Sequence, residues 1–307
     1  MSFSHVPVLL HETVEALHID PQGVYVDCTA GGGGHSAAIL ERLQTGTLVD
    51  VDRDPQAIET LRVRFAGCER VRIVHGNYFD LPALLQREGI DGADGILADL
   101  GVSSHQLDTA ERGFSFHQDA PLDMRMSMQG VSAADVVNTY TKAQLQKILY
   151  TYGEEKFAPA IAAAIVRERE RGPIETTLQL AELVKSAVPA AARRDGHPAR
   201  RTFQAVRIEV NGELEQLDDA VQAMFRVLRP GGRLCIITFH SLEDRIVKKR
   251  FAALCTGCTC PPDFPVCVCG RTAEGRLPMK AVTAGKEELE ENNRSRSAKL
   301  RVIEKIG

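Results

Sequence analysis

The sequence contains no tryptophan and few aromatic residues, which make up 5% of its 307 positions. Leucine, valine, isoleucine and alanine must therefore build most of the core. No apolar run reaches the ~18 residues that a membrane-spanning helix needs, and the first residues lack the basic-then-apolar pattern of an export signal. With 44% hydrophobic and 25% charged residues, the composition is typical of a folded globular protein. We expect a cytoplasmic protein without a membrane partner.

The charge is distributed unevenly along the chain. The formal net charge is −4, which is not that of a strongly basic nucleic-acid-binding protein. Residues 1–104 carry a net charge of −8, residues 105–214 are balanced, and residues 215–307 carry +4. The total therefore conceals a basic C-terminal part that is suited to an anionic partner.

Apolar runs alternate with helical segments in the first third of the chain, which predicts βαβ units and a parallel sheet. This alternation stops after Asp99 and resumes near Arg233, and the residues between have mostly helical spacing. We therefore predict an α/β domain made of residues 1–104 and 215–307, interrupted by an inserted helical domain of residues 105–214. Near the C-terminus, Met279–Thr283 and Ala298–Ile303 alternate with a period of two and are predicted to pair antiparallel at the sheet edge. The predicted strands of the alternating parts are Val24–Cys28, Thr47–Asp52, Val71–His75, Gly95–Asp99 and Arg233–Thr238.

A glycine-rich loop, Ala30–Gly34, follows the first predicted strand and precedes a helix. Such a loop allows close approach of a ligand to the backbone, although it is also common as a simple tight turn. Asp27 just before the loop would repel a pyrophosphate but attract a sulfonium and an ammonium group, and Asp52 can accept ribose hydroxyls. With Asp99 at the end of another strand, the acids favour S-adenosylmethionine over NAD. The alternative is that they only cap helices and turns.

Longer motifs occur in order along nearly the whole chain: Asp27–Ser36, Asp52–Pro55, Asp99–Ser104, Glu111–Phe116, Pro121–Met126, Tyr152–Glu155, Arg201–Arg207, Phe239–Arg245 and Arg294–Ser297. This series resembles the MraW (RsmH) family of bacterial ribosomal RNA small-subunit cytosine-N4 methyltransferases. The resemblance implies a class I, Rossmann-like S-adenosylmethionine-dependent methyltransferase fold with an inserted helical substrate-recognition domain. It also implies methyl transfer from S-adenosylmethionine to N4 of a specific cytidine in the decoding centre, the P-site region, of 16S rRNA.

The resemblance further implies which residues bind the cofactor. Asp52 would bind the ribose, and Tyr78 would lie beside the adenine. The chain departs from the family pattern at His105, where the family has proline. The implied cofactor-binding residues are Gly33, Gly34, His35, Asp52, Tyr78, Asp99 and Gln106.

The chemistry of a cytosine amine indicates what a catalytic residue must do. Its lone pair is delocalised into the ring, so an enzyme gains by accepting hydrogen bonds from its N–H groups and by holding the nitrogen in line with the S–CH₃ bond. Asp99 is the candidate catalytic residue. Phe114, Phe116, Phe239 and His240 are candidates to stack on the base, or else belong to the core.

Basic residues are concentrated in a stretch where glycine and proline predict a loop. Phosphate contact is one function for them, which would make 16S rRNA, within the small ribosomal subunit, the partner. Alternatively, they pair with Glu209, Glu213 or other acids and dock the helical domain. The candidate RNA-binding residues are Arg193, Arg194, Arg200, Arg201 and Arg207.

Five of the eight cysteines lie within residues 255–269. In a chain without an export signal, such clustering favours metal over disulfides. Cys258, Cys260, Cys267 and Cys269 would enclose a structural zinc ion with four thiolates, whereas the alternative is a set of reduced surface thiols. Cys255 is a further ligand candidate.

Two other functions remain open at this stage. One is methylation of an amine on DNA or on a small molecule. The other is ribosome assembly by RNA binding, with methylation incidental. The sequence also leaves open whether the chain is a monomer or a homodimer.

Overall fold

A computed structural model describes residues 7–193, 197–260, 266 and 268–307. The chain divides into two compact units, Met1–Gly101 with Leu214–Gly307 and Val102–Glu213. The sequence analysis places these boundaries after residues 104 and 214. Among the described helices, none combines the length and apolar character that a membrane-spanning helix requires.

The first unit is built on one sheet with the strand order β3-β2-β1-β4-β5-β8-β6, and β7 also pairs with β8. β1 to β5 pair parallel with one another, whereas β8 runs antiparallel to β5. This order reverses at β1, as in Rossmann-like folds, and the predicted α/β fold class is confirmed. The strands are β1 Val24–Asp27, β2 Thr47–Asp52, β3 Val71–His75, β4 Ala93–Asp99, β5 Leu228–Thr238, β6 Gly275–Arg276, β7 Val282–Thr283 and β8 Lys299–Lys305.

Helices cover the sheet of the first unit and make up most of the second unit. In chain order they are α1 Leu10–Leu17, α2 Gly34–Arg42, α3 Pro55–Arg64, α4 Leu81–Arg87, α5 Ser104–Asp108, α6 Ala133–Thr139, α7 Lys142–Gly153, α8 Ala158–Arg169, α9 Thr177–Ala187, α10 Ala199–Asn211, α11 Leu217–Val227, α12 Ser241–Cys255 and α13 Lys286–Glu291.

Alternate residues of the central strands enter different cores, because side chains of a strand alternate between the two faces of its sheet. On β4, Ile96 packs in one core with residues of α11 and α12, and Leu97 packs in another with residues of α1 and α2. Both side chains are completely buried. The strand is therefore apolar on both faces, as expected of a parallel sheet covered on both sides.

The second unit has a separate apolar core formed by helices α6 to α10. Ser132, Thr141 and Thr176 begin α6, α7 and α9 with capping boxes, which satisfy amide groups at the helix starts. α7 and α10 approach closely at Gly153, where a Cβ atom would lie 2.7 Å from the carbonyl oxygen of Arg201. Only glycine allows this approach without a shift of one of the two helices.

The structure corrects two details of the sequence analysis. Arg200, Arg201 and Arg207 do not lie on a loop but on α10. Pro198 directly precedes this helix, a position that proline tolerates well, and the apolar face that includes Phe203 is buried. The strand predicted over Met279–Thr283 is shorter, since only Val282–Thr283 pairs with β8.

An ion pair holds the end of the second unit together. Arg207 donates two hydrogen bonds to the Glu213 carboxylate, at 2.9 Å from Nε to Oε1 and 2.8 Å from Nη2 to Oε2. The Arg207 and Glu213 side chains are only 16% and 7% exposed. Removal of one partner would leave the other charge buried.

We therefore expect Arg207→Ala to lower the free energy of unfolding by about 3–5 kcal/mol, and Arg207→Lys to lower it less because a charge remains. Denaturant unfolding followed by circular dichroism measures both. Arg171→Ala is the matched control, since Arg171 pairs with Glu168 at the surface and such pairs contribute at most about 1 kcal/mol. Equal losses for Arg207→Ala and Arg171→Ala would contradict this account.

Candidate functional site

Three acids predicted from the sequence meet at one edge of the sheet. Asp27, Asp52 and Asp99 are the last residues of β1, β2 and β4, and these parallel strands are neighbours in the order β2-β1-β4. Their carboxyl ends therefore lie at the same edge, where open α/β sheets bind ligands.

The loop between β1 and α2 requires glycine at two positions. Gly33 has a φ of 74°, in the left-handed region that favours glycine. A Cβ atom on Gly34 would lie 2.3 Å from Cγ of Pro7. Gly33 is itself buried, so glycine at these positions allows the turn and the close packing of the loop against neighbouring residues.

Asp27 and Asp52 shape this loop from two sides. Asp27 accepts hydrogen bonds from the Thr29 amide at 3.1 Å and from the Ser36 hydroxyl at 2.9 Å. Asp52 accepts them from the amides of Gly31 and Asp54, both at 2.8 Å. Burial raises the pKa of both carboxyls to about 6, although these hydrogen bonds oppose the shift.

Asp99 is held differently, because its carboxyl group has fewer partners. Its amide donates to the Thr29 hydroxyl at 2.6 Å, but its buried Oδ1 atom accepts no hydrogen bond from the part of the chain that the structure describes. A quarter of the side-chain surface is exposed. Burial, together with the charges of Asp27 and Glu243, raises the pKa of Asp99 well above its usual value. Asp99 thus offers an acceptor atom that is suited to a donor from a ligand.

His35 anchors the chain that precedes α1. Its Nε2 atom lies 3.1 Å from the carbonyl oxygen of Val8, and burial lowers the pKa of the imidazole to about 4. The ring is therefore neutral near pH 7, with the proton on Nε2, since a carbonyl oxygen can only accept. Its Nδ1 atom lies 4.0 Å from Oδ2 of Asp99, too far for a hydrogen bond.

The two remaining predicted cofactor residues lie on different units. Tyr78 begins a short 3₁₀ helix, Tyr78–Asp80, that follows β3, and its ring packs edge-on against Phe79 with centroids 4.7 Å apart. Gln106 belongs to the second unit, where it closes a capping box with Ser103 at the start of α5. Its role in a cofactor site stays a prediction.

The sequence analysis missed one acid and one cavity. Asp50 on β2 is completely buried opposite Asp27 of β1, and burial raises the pKa of its carboxyl well above the usual value. After β5, Phe239, His240, Lys248 and other residues line a cavity of about 530 Å³, a volume typical of ligand sites. The sequence motif Phe239–Arg245 indicates that this region is important, but it does not predict the cavity.

The structure separates the four candidates for base stacking. Phe114 and Phe116 pack with the apolar core of the second unit, and Phe116 contacts His197 and Phe203 with ring centroids 4.6 and 4.8 Å apart. Phe239 and His240, by contrast, line the cavity after β5. Phe239 also packs against a core of the first unit, and the His240 side chain is only 10% exposed. Both stay candidates because they line this cavity.

Comparison with known proteins identifies the family of the chain. Residues 2–306 match the family described as the MraW methylase family. This chain belongs to the MraW methylase family. It is 53% identical over 309 residues to the ribosomal RNA small subunit methyltransferase H of Clostridium botulinum (strain Kyoto / Type A2), with 100% of both chains covered. The protein with the same name from Paenibacillus sp. (strain JDR-2) is 53% identical over 315 residues, covering 99% of this chain and 100% of that one.

The family membership confirms the resemblance inferred from the sequence. It does not assign a role to the candidate RNA-binding arginines. Arg207 is bound to Glu213 within the second unit, and Arg193 donates to the carbonyl oxygen of Val188 at 2.9 and 3.0 Å. Arg200 and Arg201 have exposed side chains on α10. Arg194 lies outside the described residues.

The candidate metal ligands Cys258, Cys260 and Cys269 lie together, with their sulfur atoms within 4.8 Å of one another. Cys267 lies outside the described residues. Cys255 ends α12 and packs against the core of the first unit. The geometry therefore separates Cys255 from the other three.

The acids at the sheet edge predict a specific dependence of stability on pH. A carboxyl group whose pKa is raised from 3.8 to about 6 on folding contributes stability that is present at low pH and lost as the pH rises through about 6. For Asp52 we expect the wild type to lose roughly 2.5 kcal/mol relative to Asp52→Asn between pH 4 and pH 7. Chemical unfolding at several pH values measures this difference. Asp91→Asn, at an exposed loop position, is the control, and parallel pH curves for the wild type and Asp52→Asn would refute the prediction.

Proposed function

We propose that this protein transfers a methyl group from S-adenosylmethionine to N4 of a specific cytidine in the decoding centre of 16S rRNA, within the small ribosomal subunit in the cytoplasm. The observation that carries the proposal is the group of buried acids beside a glycine loop, with an acceptor atom of Asp99 that no described residue satisfies. The name of the relatives, ribosomal RNA small subunit methyltransferase H, supports the RNA substrate.

The residues at the sheet edge fit S-adenosylmethionine. Gly33 and Gly34 would shape the turn that brings the loop backbone to the cofactor, since Gly33 has a left-handed φ of 74° and a Cβ atom on Gly34 would lie 2.3 Å from Cγ of Pro7. Asp52 would bind the ribose hydroxyls, since each of its oxygens has a second acceptor position. Asp27 would attract the positively charged end of the cofactor. Tyr78 would contact the adenine. When bound, the cofactor supplies an electrophilic methyl group on a positively charged sulfur.

Asp99 is the residue that we assign to the chemical step. Its carboxylate would accept a hydrogen bond from the N4 amine and so orient the nitrogen lone pair toward the methyl group. Because burial raises the pKa of Asp99, the same carboxylate is suited to hold the proton that the amine loses on methylation.

The cavity after β5 is the proposed position of the target base. Phe239 and His240 supply ring surfaces, and stacking of a base on such rings stabilises extruded nucleotides. Lys248 lines the same cavity and is suited to contact a phosphate. Lys299, also in the lining, donates to Asp244 at 3.1 Å.

The proposed reaction is tested directly by incubation with labelled S-adenosylmethionine and small ribosomal subunits, naked 16S rRNA or DNA. Digestion to nucleosides and mass spectrometry then identify the product. We expect N4-methylcytidine in the rRNA, at one position. Label in DNA alone would favour the alternative substrate, and RNA binding without label would favour an assembly factor.

For Asp99, we expect Asp99→Asn to lower the single-turnover rate by about 10²–10⁴-fold, the usual range for loss of a general base. The affinity for S-adenosylmethionine, measured by calorimetry, should change far less. Asp91→Asn serves again as the control for both measurements. A loss of rate that only follows the loss of affinity would make Asp99 a cofactor ligand and nothing more.

For the exposed arginines of α10, we expect the double variant Arg200→Ala/Arg201→Ala to bind 16S rRNA more weakly, with a salt dependence flatter by ~0.7–0.9 log units per lost phosphate contact. Lysine at both positions should retain part of the binding. Filter binding over a range of salt concentrations measures the slope, and the melting temperature of the same variant is recorded beside it. A lower melting temperature with an unchanged slope would show that these arginines stabilise the helical unit and do not bind RNA.

A further inference from the structure

We propose that Cys258, Cys260 and Cys269 bind a structural zinc ion that holds together the segment between α12 and β6. This inference is independent of the proposed activity. It concerns the chain from Thr256 to Glu274, which leaves the sheet domain after α12 and returns to it at β6.

A backbone hydrogen bond joins the two ends of this segment, but its described outer part has no apolar core of its own. The amide of Glu274 donates to the carbonyl oxygen of Leu254 at 2.9 Å. Val266 and Val268, farther out, are 69% and 73% exposed and so form no local apolar core. Small structures without a core are commonly stabilised by disulfides or metals.

The positions of the sulfur atoms favour a metal over a disulfide. The Sγ atoms of Cys258 and Cys269 are 3.7 Å apart, whereas a disulfide joins its sulfurs at about 2.05 Å. Zinc–sulfur bonds of about 2.3 Å in a tetrahedral site place neighbouring sulfurs about 3.8 Å apart. The Cys258–Cys269 distance matches this value, and Cys260 lies within 4.8 Å of both sulfurs, close enough to supply a third ligand.

Backbone amides support the negative charge that these sulfurs carry as metal ligands. The amide of Val268 donates to Sγ of Cys260 at 3.4 Å, and the amide of Thr259 donates to Sγ of Cys269 at 3.5 Å. In metal sites, hydrogen bonds of this kind orient the ligand atoms toward the metal.

The donor set indicates which metal fits. All three described ligands are cysteine sulfurs, and thiolate ligands select soft or borderline metals and disfavour magnesium, calcium and manganese. Structural zinc sites have four ligands, and Cys267, in the same segment, lies outside the described residues. Cys255 does not belong to the site, since burial raises the pKa of its thiol and it packs against the core.

The test measures the metal content of the full-length protein purified under reducing conditions. We expect one zinc ion per chain, and almost none in Cys258→Ser or Cys269→Ser. Cys255→Ser and Cys68→Ser are the matched controls and should keep the metal. Circular dichroism and calorimetry with S-adenosylmethionine establish that the variants are folded.

Cobalt substitution gives a second readout that needs no variant. A tetrahedral thiolate site should show intense visible d–d bands and a sulfur-to-cobalt charge-transfer band in the near ultraviolet, and limited proteolysis between residues 256 and 274 should accelerate when the metal is removed. The proposal is overturned if the reduced wild type takes up no stoichiometric zinc, if Cys258→Ser and Cys269→Ser retain it, or if Cys258 and Cys269 form a disulfide in the freshly purified protein.

Discussion

The desolvation of carboxyl groups at one edge of the sheet is the constraint on which the candidate site depends. Asp27, Asp52 and Asp99 converge there because their strands are adjacent and parallel, and burial raises the pKa of each. Backbone amides and one serine hydroxyl compensate part of the penalty at Asp27 and Asp52, but Oδ1 of Asp99 has no such partner among the described residues. A positively charged ligand, together with N–H donors of a bound substrate, would stabilise all three ionised carboxylates. The site is thus suited to a cation before any family likeness is considered.

The sheet and its acids could be predicted from the sequence because both follow from local patterns. Each inner strand is a short apolar run. An acid at the carboxyl end of such a strand lies at the ligand-binding edge of the sheet, independently of the other elements of the fold. The two halves of the sheet domain could also be anticipated, since the helical spacing of the residues between them interrupts the strand pattern. The glycine loop needed no tertiary information either, because its position between a strand and a helix is visible in the chain.

Other features depend on contacts that no local pattern reveals. The stretch around Pro198 contains loop signals, yet α10 forms there because Phe203 and its neighbours bury one face against the second unit's core. The sequence makes Arg207 a candidate phosphate ligand, whereas the structure pairs it with Glu213. Asp50 lies opposite Asp27 on a neighbouring strand, and the cavity after β5 is lined by residues that are far apart in the chain. Cys255 could not be separated from the other clustered cysteines without knowledge of which thiol packs inward.

If the buried acids form a site for a cation, binding of S-adenosylmethionine should release protons. Measuring this release tests the claim most directly. Calorimetry of S-adenosylmethionine binding at pH 6, in buffers of different ionisation enthalpy, counts the protons released. Because the sulfonium favours ionised carboxylates, we expect net proton release and an affinity that rises from pH 5 to pH 7. S-adenosylhomocysteine, whose sulfur is uncharged, should release fewer protons and show a weaker pH dependence. Equal proton release and equal pH dependence for the two ligands would contradict the account.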